Sequence, residues 1–393
     1  MKKTYYTGEL LFTGSTFVKD FVILTEDAKI ASLGTRETIP CPPDAERVRL
    51  PGVTTPGLID CHVHLLCSDL FIRSPSPTSA EIANMICRGV YHARQLLEAG
   101  VVACRDLGSV NGYALGLRDA ICAGSIPGPL VQACGLAVCA TGGHGGAIGL
   151  ECDGADAMTR GVRQIVKAGA DVVKIMVSGG VNSPGPEPGP CELTETELQA
   201  AVDAAHAMGR KVAIHAHGVT AIRRGIWCGV DSVEHGVFMS EEIMDEMRRR
   251  GAYLVPTLSA PYYAVEEGLR REPNNPDHLR SKSVVQRHRD MLKKCAERGV
   301  NIAFGTDAGN TYDPFDKAYY ELVLMVEAGL TPEQAFTAAS VGSAALMGIS
   351  DRLGELAAGK DATFLCWADG DPFKNINYVT GKKHLILNGT RLY

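Results

Sequence analysis

The 393-residue sequence is short of the features that mark membrane, secreted or nucleic-acid-binding chains. No uninterrupted apolar run reaches the ~20 residues that a spanning helix needs. The opening Met1-Lys2-Lys3-Thr4-Tyr5-Tyr6 is basic but has neither the apolar core nor the cleavage site of a secretory signal, so a cytoplasmic protein is expected. Positive charge is not in excess: Lys+Arg 39 against Asp+Glu 45 leaves −6, which argues against a nucleic-acid or anionic-membrane partner and for a small molecule. None of the 13 cysteines forms a C-x-x-C pair, and their number is odd. Cys61, Cys104, Cys134 and Cys228 sit in apolar runs and read as buried reduced thiols. No G-x-G-x-x-G follows the first strand of the main domain, which counts against a doubly wound dinucleotide-binding sheet. No internal repeat is evident.

What is present is the material of a large globular enzyme-sized domain: 45% hydrophobic and 21% charged residues. Between about 56 and 350, strand-like and helix-like segments alternate. Eight strands are expected, at 58–64, 101–107, 130–137, 171–177, 211–217, 231–235, 252–258 and 302–307. Helices are expected between them, at 79–99, 155–168, 194–208, 218–228, 240–250, 282–299 and 316–328. Eight such units predict an α/β fold of the TIM-type (β/α)8 barrel class over 56–354. The β-type runs of residues 1–55 are too few for a core of their own. With similar runs at 355–393 they predict one small β-sandwich built from both chain ends.

The polar oddities of the barrel segment fall at strand ends, where barrel enzymes place their chemistry. Pro56-Gly57-Leu58-Ile59-Asp60-Cys61-His62-Val63-His64 climbs to an H-x-H pair. A strand alternates faces with period 2, so His62 and His64 share a side and can grip one metal, while Cys61 faces away. Two core histidines are the plain alternative. Lys174 lies inside Val172-Val173-Lys174-Ile175-Met176, where burial disfavours an ammonium. It either snorkels to a carboxylate or is a neutral amine able to take up CO2 as a carbamate. His215 and His217 share a face, and His215, directly after its apolar run, is the chosen ligand, with His217 a substrate-side group. His235 ends Ser232-Val233-Glu234-His235, and Asp307 ends Phe304-Gly305-Thr306-Asp307. Taken singly, each has a structural explanation. Jointly they describe a nitrogen and oxygen site suited to Zn2+, Mn2+, Fe2+ or Co2+. Loops 139–153, 179–191 and 259–283 are the expected walls of a substrate site. His144 in the first, and Arg105 in Cys104-Arg105-Asp106, are candidate substrate contacts. For Arg105 a structural ion pair is an equal reading.

The motifs PGLIDCHVHL, VVKIMVSGG, VAIHAHG, VEHG and FGTDAG resemble those of the amidohydrolase superfamily over nearly the whole chain. CRDLG, TGGHG and SVEHG resemble its imidazolonepropionase-related branch, which contains Xaa-Pro and Xaa-Arg/Lys dipeptidases and carboxypeptidases. The resemblance implies two divalent metals, His62, His64 and Asp307 holding one, His215 and His235 the other, with carboxylated Lys174 between them. It implies hydrolysis of an amide by a metal-bridging hydroxide, with Asp307 as proton shuttle, and release of a C-terminal amino acid from a dipeptide or N-acyl amino acid. Opening of a cyclic amide is the alternative, deamination a more distant one, and a non-catalytic binding scaffold the reading from another class. Homo-oligomers are common among such proteins.

Overall fold

The computed structural model describes residues 2–67, 77–181, 189–310 and 312–392. Eight staves form a parallel barrel. The first, Leu58–Val63, pairs with the second, Val101–Asp106, which pairs with Leu130–Ala133. Ala137–Cys139 then pairs with Val172–Met176, followed in turn by Lys211–Ala216, Ser232–His235, Tyr253–Val255 and Asn301–Ile302. The ring closes where the backbone amides of Cys61 and Asp307 donate to the carbonyls of Phe304 and His62, at 2.8 and 2.7 Å. Staves one, two and four are buried along their whole length, as expected of parallel strands covered on both faces.

Three strands differ from expectation, and the seventh, expected at 252–258, is a strand only over Tyr253–Val255. The run at 130–137 is broken at Cys134-Gly135-Leu136, where Gly135 has φ +71°, so the third stave is two short pieces. The eighth is a strand only over Asn301–Ile302, and residues 303–308 continue it as irregular backbone bonded to the first stave. Irregularity there lets the chain turn Asp307 inward.

Several of the outer helices start at side-chain caps. Thr78 with Glu81 and Thr194 with Glu197 form capping boxes for Ser79–Ala99 and Glu195–Ala207. The segment expected as loop 259–283 is largely helical. Its last part is the start of the helix Pro276–Glu297, six residues earlier than the predicted 282. Asn275 caps it, accepting from the Asp277 amide at 2.9 Å, and Pro276 sits at the first helical position, where its missing N–H costs nothing. Of the expected loop 179–191, residues 182–188 lie outside the described residues.

Both chain ends enter the β layers beside the barrel. One sheet orders Lys29–Thr35, Phe21–Glu26, Lys3–Thr7 and Glu46–Arg49. The other orders Thr390–Arg391, Lys383–Leu387, Phe364–Trp367, Val53–Pro56, Leu10–Phe12 and Phe17–Lys19. Tyr6, Leu11, Phe21, Ile23, Phe364 and Ile386 from the two sheets share one apolar core.

Candidate active site at the stave ends

His62, His64, Lys174, His215, His235 and Asp307 all reach the C-terminal mouth of the barrel and line one cavity of about 800 Å3. Adjacent rings in the series His64, His62, His235, His215 lie 4.6–5.4 Å apart between centroids. Ligand atoms of His62, His235 and Asp307 lie within 4.8 Å of one another, as do those of His215, His217 and His235. His217, expected on the substrate side, stacks on His235 at 4.8 Å between ring centroids, against 4.6 Å for His215.

Two hydrogen bonds orient the first pair. His64 Nδ1 meets the carbonyl of Gly108 at 2.9 Å, and His62 Nδ1 meets Glu234 Oε2 at 2.9 Å. Carbonyl and carboxylate oxygens only accept, so both Nδ1 atoms carry the proton and both Nε2 atoms offer lone pairs. Those Nε2 atoms face Asp307 Oδ1 at 3.3 and 3.4 Å. Three acceptors aimed at one another repel unless a cation or a proton stands between them. His215 Nε2 is likewise buried with no hydrogen-bond partner among the described residues. A divalent metal with imidazole and carboxylate ligands fits this donor set.

The backbone at the mouth is strained. His235, Thr257 and Asp307, at the ends of staves six, seven and eight, have φ of +69°, +53° and +69°. A β-branched residue there is a true outlier, and such strain concentrates where a side chain must be aimed. Thr257 supports its neighbour directly, its Oγ1 2.7 Å from His235 Nδ1. Two glycines make room. A Cβ on Gly305 would lie 2.4 Å from Val255 Cγ1, and one on Gly309, at φ +98°, 2.3 Å from the His64 carbonyl.

Burial and charge set the protonation states. Burial lowers Lys174 to about 8, with Glu234 and Asp307 pulling the other way. Burial opposes the Asp307 carboxylate, yet His62, His64 and Lys174 outweigh it and hold Asp307 at about 2. Burial, helped by Lys174, lowers His62 to about 4. Cys61 faces away from the cavity, and burial lifts its thiol to about 12.

Arg105 is not at the cavity. Its guanidinium lies under His62, with Nη2 2.9 Å from Glu234 Oε1 and Nε 2.7 Å from the Cys61 carbonyl. Of the two readings the sequence allowed, the structure has the ion pair, and the side chain is 1% exposed. His144 does line the cavity, its ring stacked on His215 at 4.3 Å, and the Glu192 carboxylate holds its backbone amide at 2.9 Å.

Several residues of the site escaped the sequence. Glu234 joins His62, Arg105 and Ser232 and is fully buried. A charged residue inside an apolar strand was its signal. Asp60 accepts from Thr306 Oγ1 at 2.7 Å and ties staves one and eight together. Thr257 and His288 carried no local signal, because their roles come from where the seventh stave and the helix Pro276–Glu297 end up.

A parallel barrel with imidazoles and a carboxylate converging at its C-terminal mouth places them where barrel enzymes carry their active sites. The chain belongs to the amidohydrolase family, whose sequence pattern matches residues 53–391, and it is a hydrolase acting on amide bonds. It is similar to a Xaa-Pro dipeptidase solved with methionine in its active site, at 31% identity and TM-score 0.87 over 100% of both chains. It is similar to a prolidase complexed with N-methylphosphonate-L-proline, at 27% identity and TM-score 0.87 over 100% of this chain and 99% of that one. Ochratoxinase of Aspergillus niger is 28% identical over 431 aligned residues, covering 99% of this chain and 86% of the relative. Among the described residues, no helix is long and apolar enough to cross a membrane.

Proposed function

We propose that this chain is a binuclear metal-dependent amidohydrolase that releases a C-terminal amino acid from a dipeptide or an N-acyl amino acid. The observation that carries the metal centre is the convergence of His62 Nε2, His64 Nε2 and Asp307 Oδ1 at 3.3–3.4 Å. His62, His64 and Asp307 would hold one divalent ion, and His215 and His235 the other. Zn2+ suits their nitrogen and oxygen atoms. Bound there, the metals would polarise the scissile carbonyl and bring water toward ionisation near neutral pH.

The chain's own groups do the rest. Lys174, as the neutral amine, would add its nitrogen lone pair to CO2 and release one proton to water, and the resulting carbamate would supply carboxylate-type oxygen ligands. Its lowered pKa supplies the neutral amine. Asp307, ionised at neutral pH, accepts the proton of the attacking water and returns it to the departing amine nitrogen. His144 stands over His215, where a hydrogen bond from its ring would reach the substrate carbonyl or carboxylate. The dipeptidase and prolidase relatives favour a peptide or N-acyl amino acid over a cyclic amide.

The test is metal content of protein purified without chelator, joined to a screen of dipeptides, N-acyl amino acids and cyclic amides. About two metals per chain with release of a free amino acid is the expected result. Two metals with cleavage of cyclic amides alone would overturn the substrate class. Absence of bound metal, with no activity after addition of Zn2+ and bicarbonate, would leave a binding scaffold.

A further inference from the structure

Residues 140–145, on the loop that carries His144, form neither helix nor strand, and carboxylates hold their backbone instead. Asp153 accepts from the Thr141 amide at 3.0 Å and from its Oγ1 at 2.6 Å, and Glu151 Oε1 accepts from the Gly142 amide at 2.9 Å. These bonds close the loop on itself. The bond from the His144 amide to Glu192 Oε2, at 2.9 Å, differs because it crosses 48 positions to the return of another cavity loop. Among the described residues it is the one hydrogen bond His144 makes, so the ring is placed by this bond and by its stacking on His215 at 4.3 Å.

Glu192 is well anchored for this task. Its own amide donates to the Val177 carbonyl at 2.9 Å, Cys191 beside it bridges to Ser178, and Leu193 after it is 1% exposed. Thr194 then caps the helix Glu195–Ala207. The carboxylate is thus fixed to the end of stave four, which also carries Lys174. Close approach is possible because glycines face it: a Cβ on Gly143 would lie 2.7 Å from Glu192 Oε2, and one on Gly180 3.1 Å from His144 Cε1. A glycine-rich loop has many conformations to lose, and a bond to a carboxylate selects among them before substrate binds.

We propose that Glu192 is the positioning residue of His144, its carboxylate latching the glycine loop to the end of stave four so that the ring stands over His215. This rests on the reading of His144 as a substrate contact and adds the residue that makes the contact effective.

The experiment uses the metal-loaded protein and the dipeptide or N-acyl amino acid that the wild type cleaves fastest. His144→Ala should lower kcat/KM by roughly tenfold to a hundredfold, the span of a hydrogen bond to a charged group. Glu192→Ala should lower it by about tenfold, with the same division between kcat and KM, because the same contact is misplaced. Added to His144→Ala, Glu192→Ala should cost less than about a further twofold. Glu192→Gln should keep most of the activity, since an amide oxygen also accepts from the His144 amide. Metal content should be equal throughout. By mass spectrometry, amides of residues 141–146 should exchange hydrogen faster in Glu192→Ala than in wild type or Glu192→Gln. Fully additive losses in the double variant, or wild-type turnover by Glu192→Ala, would overturn the positioning role while leaving the His144 contact intact. Wild-type turnover by His144→Ala would overturn the contact and the positioning role with it. Unchanged exchange in Glu192→Ala would overturn the latch whatever the activity.

Discussion

Replacing Glu234 by Gln tests the buried network beneath His62. Glu234 takes hydrogen bonds from Ser232 Oγ at 2.6 Å, Arg105 Nη2 at 2.9 Å and His62 Nδ1 at 2.9 Å. Burial opposes its charge, but Arg105 and His62 outweigh it and hold its pKa at about 2 against an ordinary 4.5. A carboxylate held down in the folded state stabilises it fully above pH 4.5, and that stability is lost as pH falls toward 2. That lowering corresponds to roughly 3 kcal/mol at neutral pH. Gln removes the charge and leaves the Arg105 guanidinium, 1% exposed, without its counter-ion. The cost should be about 3–5 kcal/mol, the range for breaking a buried pair from one side. The same change acts on His62. If the new amide nitrogen faces Nδ1, the ring must move its proton to Nε2, the atom turned toward Asp307. Metal affinity should then fall about 10–100-fold. Guanidinium unfolding of metal-free protein at pH 7 and at pH 3 gives the stability term, and calorimetric titration with Zn2+ gives the affinity. The stability gap between wild type and variant should narrow at pH 3. A variant as stable as wild type at pH 7, binding metal equally well, would refute the claim that this network carries charge and sets the tautomer. Arg105→Met with Glu234→Leu should recover stability relative to either single change, since no charge is then left alone.

Three further outcomes follow from the same geometry. Asp307→Asn should lower kcat by about 10^2–10^4-fold, as loss of a proton-transfer group does, with the chain still folded by circular dichroism. Lys174→Ala should lose about half of the bound metal and the response to bicarbonate. In the wild type, bicarbonate activation of chelator-stripped protein should steepen as pH rises through about 8, where burial places the neutral amine. Gly309→Ala should lower the denaturant midpoint by the equivalent of at least ~1–3 kcal/mol, because a Cβ there meets the His64 carbonyl at 2.3 Å with φ at +98°.

The period-2 alternation of a strand was enough to place His62 and His64 on one side of the first stave, with Cys61 on the other. Strand-ending polar residues after apolar runs located His215, His235 and Asp307, because burial along the stave forces such residues to its open end. The alternation of strand and helix carried the barrel. These are local properties, and a sequence states them directly. Arg105 could not be resolved this way: its partner Glu234 is 129 positions away and becomes its neighbour only through barrel closure. The left-handed backbone of His235, Thr257 and Asp307 is likewise imposed by contacts across staves, since no local preference would choose it for Thr257. His288 sits mid-helix and looks from its surroundings like any half-polar position. Only the docking of that helix against the His235 carbonyl assigns its proton to Nε2. Sequence therefore determined the fold and which polar residues end the staves, whose signals are periodic and local. Tertiary structure decided the ion pair and the tautomers, because each depends on atoms that the chain brings together from far apart.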